Sequence, residues 1–171
     1  MKKFSREILG LLIVFTLPGL CSQAQENKSQ TDLPRIAGTW KLNISKSKFN
    51  PGPPPKSLTI MWEWRGDALT HSEEGVSSNG ERTTAHFTAK FDGKLYPIFA
   101  GANDQTPLRY VRLKKIDAYT MEATNSKDGK DMSTYRHVLS KDGKSDIITQ
   151  VGKDVLEQGT NVTDVLVYER Q

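Results

Sequence analysis

Apolar and polar residues alternate with a period of two through most of this chain. In Ser57–Arg65 (SLTIMWEWR), Leu58, Ile60, Trp62 and Trp64 share one face while Thr59, Met61 and Glu63 share the other. This is the pattern of a half-buried strand. Arg82–Lys90 repeats it, with Thr83, Ala85, Phe87 and Ala89 opposing Arg82, Thr84, His86, Thr88 and Lys90. Weaker runs at Leu95–Phe99, Leu108–Ile116, Tyr119–Asn125, Met132–Ser140, Asp146–Val151 and Val162–Arg170, together with Gly38–Ile44 and Leu69–Glu73, predict about ten strands. No run of helical period exceeds two turns after the first twenty-four residues.

Turn chemistry punctuates these runs. Gly66-Asp67, Asn79-Gly80, Asp92-Gly93, Asp128-Gly129 and Asp142-Gly143 separate them. Such pairs favour tight hairpins because glycine accepts positive φ freely and Asn or Asp tolerates it. Successive hairpins make an antiparallel meander, and a meander of this many strands manages its edges most simply by closing into a barrel. The expected fold is therefore all-β, an up-and-down barrel filling residues 36–171 as one domain, wide enough for one small ligand if side chains do not fill it.

The two ends of the chain's first segment read differently. Lys2, Lys3 and Arg6 precede an apolar run, Ile8 to Leu17, that is too short to span a bilayer, and Ser22-Gln23-Ala24 supplies small residues for cleavage before Gln25. Residues 1–24 are expected to be a signal peptide that directs export to the periplasm or beyond. The alternative is a lipid anchor on Cys21, against which Leu20 is a bulky neighbour. Residues 25–35 (QENKSQTDLPR) are polar and aperiodic, and are expected to form a flexible lead-in.

Charge and cysteine content bear on partners and on what holds the fold. Cleavage would remove three cations and one anion and lower the formal net charge from +4 to +2, so the pI near 9.1 is partly a property of the leader. It gives little reason to expect a nucleic-acid partner. Loss of Cys21, the one cysteine, would leave a chain of 171 less 24 residues, 147, that holds its fold by packing alone. No membrane span is expected in it.

Gly38-Thr39-Trp40 on the first strand resembles the G-x-W signature of the lipocalin and fatty-acid-binding-protein group, the calycins. The resemblance implies that Trp40 closes one end of the barrel beneath an arginine from the last strand, and Arg170 stands there. The wider texture, GTWKLNISKSKF followed by a proline run and DGK hairpins, is similar to a group of exported bacterial lipocalin-like proteins whose function is largely undescribed. The chain lacks a helix after the barrel, a disulfide and a middle T-D-Y motif, since Thr163-Asp164-Val165 falls on the last strand.

Candidate chemistry is sparse. No nucleophile motif, zinc-protease motif or triad spacing is present, so no enzyme activity, cofactor or metal is expected. His71-Ser72-Glu73 places a histidine and a carboxylate on one strand face, a solvated pair or two metal ligands awaiting a third from a neighbouring strand. His86 and His137 complete the histidines. Asn50–Pro55 reads as a stiff spacer or a PxxP-type docking segment. Arg65-Gly66-Asp67 reads as a hairpin turn, and the Asn-x-Ser/Thr triplets at Asn43 and Asn161 fall on strands.

The aromatic and basic residues carry the functional expectation. Trp62, Trp64, Phe87 and Tyr110 are expected to line the cavity, with Arg112 and Arg136 holding the polar end of a small apolar or amphipathic ligand. Core packing is the competing reading for the aromatics. A solvated outer face is the competing reading for Arg109, Arg112, Lys114, Lys115 and Arg136. The alternative function is an envelope scaffold or adaptor with a filled barrel and a protein partner.

Overall fold

The structure is a computed structural model, and it describes residues 34–101, 103–153 and 160–171. The leader, Cys21 and most of the lead-in lie outside these residues. The ten strands are β1 (Gly38–Leu42), β2 (Ser57–Arg65), β3 (Ala68–Val76), β4 (Arg82–Lys90), β5 (Tyr96–Ile98), β6 (Arg109–Lys115), β7 (Thr120–Lys127), β8 (Lys130–Leu139), β9 (Ser145–Lys153) and β10 (Asn161–Arg170). All pairings are antiparallel, in the order β4-β3-β2-β1-β10-β9-β8-β7-β6-β5.

The two ends of that order approach one another. His86 on β4 and Phe99, just past β5, exchange both backbone hydrogen bonds, at 2.9 and 3.0 Å, so the meander is a nearly closed barrel. Pairing of β1 with β10 makes the first and last strands neighbours, with Trp40 opposite Arg170.

Alternation fixes the interior. Ile60 and Trp62, Leu69 and His71, Ala85 and Phe87, Val111 and Leu113, and Ile148 and Gln150 are buried, while Met61, Tyr110, Val138 and Ile147 stay at least two-fifths exposed. The turns are less uniform than their dipeptides. Among the described residues only Asp128 is a non-glycine residue with positive φ, 50°, followed by Gly129 at 74°. That is the two-residue type I′ geometry, joining the paired Lys127 and Lys130. At Gly66-Asp67 only the glycine is left-handed.

Two boundaries shift from expectation. β1 stops at Leu42 because Asn43 turns the chain, its Oδ1 accepting from Lys46 N in a short 3-10 helix (Ile44–Lys46). Pro34 and Arg35 pack with the barrel instead of ahead of it: Pro34 is buried and Arg35 N donates to Ala118 O at 2.9 Å.

Candidate functional site

One end of the barrel is sealed. The Pro34–Ala37 segment crosses it with Ile36 fully buried. Trp40 Nε1 donates to Ile36 O at 2.8 Å, and the Arg170 guanidinium carbon lies 4.2 Å from the Trp40 ring centroid. The guanidinium then spends its donors on three carbonyls of two segments: Gly143 O at 2.6 Å in the β8–β9 turn, and Ala37 O at 2.6 Å and Arg35 O at 3.3 Å in the N-terminal segment. Gly38 permits this approach. A Cβ there would stand 2.2 Å from Arg170 Nη1, at a φ of +136° that side chains rarely adopt.

Above this plug the barrel holds a cavity of about 310 Å³. Its apolar wall includes Ile60, Trp62, Phe87, Val111, Ile148 and Leu166. The mouth is bordered by Phe49, Pro51, Pro53 and Pro55, so the proline segment contributes to the cavity and is more than a spacer. It is tied to β10: Thr163 N donates to Asn50 O at 2.8 Å, and Asn50 N donates to Asp164 Oδ1 at 2.7 Å.

Polar groups interrupt the apolar wall. His71 stands edge-on to Trp62 at 4.4 Å between centroids and stacks on Phe87 at 4.8 Å. Its Nε2 is 3.6 Å from Glu73 Oε2, and its Nδ1 is buried without a hydrogen-bond partner. Burial pushes the His71 imidazole below its ordinary value, against the opposing pull of Glu73. Burial raises Glu73, but His71 and then Arg109 outweigh it and hold the carboxyl below the usual range. His137 Nδ1 is 2.8 Å from Asp146 Oδ2 in a buried pair, and the His137 ring meets Trp62 edge-on at 5.7 Å. Burial, then Glu73 and Asp146, hold the Tyr168 hydroxyl well above its usual range, so it remains a proton donor.

Arg109 completes the set. It lines the cavity from the start of β6, and its Nε and Nη1 are buried with no hydrogen-bond partner in the protein. Buried guanidinium groups are ordinarily paired, because desolvating an unpaired charge is expensive.

Of the residues expected at the site, Trp62 and Phe87 line the cavity. Trp64 shares their face but lies toward the sealed end, 5.9 Å from Phe91 between centroids. Tyr110, Arg112 and Arg136 point outward. Tyr110 is 41% exposed, Arg112 pairs with Asp131 at 2.7 Å, and Arg136 pairs with Glu122. The reason is parity: Val111 and Leu113 face inward, so Tyr110 and Arg112 cannot, and His137 inward places Arg136 outward. Arg109 shares the parity of Val111, and that was the signal for it.

His86 faces away from the cavity and stacks on Phe99 at 5.6 Å. Among the described residues no three His, Cys, Asp or Glu side chains are grouped to hold a metal ion. No helix among them is long and apolar enough to cross a membrane. Neither protein-family models nor curated proteins match this chain.

Proposed function

We propose that this protein is an exported, lipocalin-like member of the calycin group that binds a small amphipathic molecule inside the barrel without transforming it. The carrying observation is Arg109: a guanidinium whose buried Nε and Nη1 have no protein partner, in the wall of a cavity that also offers apolar and aromatic side chains. Sites of this kind are mostly hydrophobic, with a few fixed polar groups that orient the ligand. The ligand's apolar body lies against Trp62, Phe87, Ile148 and Leu166, and its polar end pairs with Arg109. Each 100 Å² of apolar surface so buried contributes roughly 2.5 kcal/mol before ordering costs.

The scaffold reading draws on the outer face of β8 and β9, where Val138, Ile147 and Val151 are exposed. It presumes a filled interior, and the cavity favours the ligand reading over it. Tryptophan emission tests the proposal, because Trp62 is part of the wall. Titration with octanoate and dodecanoate is expected to give a saturable change that weakens in Arg109→Gln. No change with either ligand, together with an experimental structure whose interior is packed solid, would refute it.

A further inference from the structure

The charges of the cavity wall narrow the class of ligand, given the ligand-binding reading above. Among the described residues, Arg109, Glu73, Asp164 and the imidazoles of His71 and His137 line the cavity, with Asp146 buried behind His137. One guanidinium therefore shares the interior with the carboxylates of Glu73 and, behind His137, Asp146, while Asp164 is engaged by Asn50 N at the mouth. With both imidazoles neutral the charges on Arg109, Glu73 and Asp146 sum to −1. A ligand bearing only an anion would satisfy Arg109 and add to this excess in a poorly solvated space. A ligand bearing only an ammonium would relieve the excess and leave the guanidinium unpaired.

Glu73 is under-coordinated in the same sense. Its nearest partner is His71 Nε2 at 3.6 Å, beyond hydrogen-bond distance, and its side chain is 27% exposed toward the space that Arg109 also faces. β3, which carries Glu73, and β6, which carries Arg109, are separated around the wall by β4 and the three-residue β5. Arg109 acts electrostatically on both Glu73 and His71, and Glu73 is held ionised at neutral pH.

We infer that the ligand is a zwitterion, an aminocarboxylate with an apolar body, whose carboxylate pairs with Arg109 and whose ammonium pairs with Glu73. Such a molecule satisfies both under-coordinated groups and adds no net charge. Its apolar part faces Trp62 and Phe87, the aromatic part of the wall. The cavity of about 310 Å³ has the dimensions of a site for a single small molecule.

The test compares three molecules with one apolar body: L-phenylalanine, 3-phenylpropanoate and 2-phenylethylamine, titrated calorimetrically into the full chain, with octanoate alongside. Phenylalanine is expected to bind at least tenfold more tightly than either truncated analogue. Glu73→Gln is expected to remove its advantage over phenylpropanoate, and Arg109→Gln its advantage over phenylethylamine. Phenylpropanoate or phenylethylamine binding as tightly as phenylalanine overturns the zwitterion and leaves the cavity reading standing. The same holds if octanoate binds and all three phenyl compounds do not. If none of the four binds, the cavity reading fails with it. The comparison on the unaltered protein decides the matter even if a variant fails to fold.

Discussion

Arg170 lies over the Trp40 ring, its guanidinium carbon 4.2 Å from the ring centroid, while its nitrogens donate to the carbonyls of Ala37, Gly143 and Arg35. The last strand thereby joins the first strand, the N-terminal segment and the β8–β9 turn at one point. Arg170→Ala is expected to destabilise the barrel by about 2–4 kcal/mol, from the cation–π contact and the carbonyls left unpaired. Arg170→Lys should recover less than half, since an ammonium cannot reach three carbonyls in a planar fan. Urea denaturation of the three proteins checks the order.

Gly38 is expected to be as intolerant as its partner. Gly38→Ala introduces a Cβ 2.2 Å from Arg170 Nη1 at a strained φ. The strain alone should cost about 1–3 kcal/mol. In the double variant with Arg170→Ala the clash disappears, so the combined loss should fall short of the sum of the single losses. A denaturant cycle over the four proteins measures that difference.

The architecture was legible because its determinants are local. Alternation in SLTIMWEWR and RTTAHFTAK fixes which face is buried, and Gly38, Trp40 and Arg170 mark the sealed end in the sequence itself. The polar interior was harder to read. Arg109, Arg112 and Arg136 look alike in composition, and only the parity of Val111, Leu113 and His137 separates the inward arginine from the outward two. The pairing of His137 with Asp146 depends on the register of β8 against β9, with Leu139 opposite Asp146, which no single segment encodes. The proline segment's position at the mouth follows from hydrogen bonds to β10, more than a hundred residues away.

The His137–Asp146 pair is expected to matter through what its loss leaves behind. Asp146→Ala strands a buried imidazole beside Trp62 and should cost about 3–5 kcal/mol. Replacing both residues with leucine removes the unpaired polar group as well, and should recover part of that loss. Thermal unfolding of the single and double variants distinguishes a structural pair from an indifferent one.

Acid should weaken the fold through His71 before the ordinary carboxylate range is reached. Its folded-state pKa lies below the unfolded value of 6.5, so the unfolded chain binds protons more readily as pH falls. The stability it contributes is fully present above about pH 6.5 and is lost progressively below it. Glu73, held below 4.5, adds a second loss beneath that value. Melting temperatures across pH 8 to 4 should be flat down to about 6.5 and then decline. His71→Gln should remove the first part of the decline and leave the second.

Whether the barrel carries a small molecule is decided by native mass spectrometry of the protein purified without denaturation from the organism that makes it. A non-covalent adduct of one small molecule per chain is expected, released by organic solvent and reduced in Arg109→Gln. Recovery of the polypeptide mass alone in the unaltered protein, with no mass gained on adding octanoate, dodecanoate or phenylalanine, would contradict it.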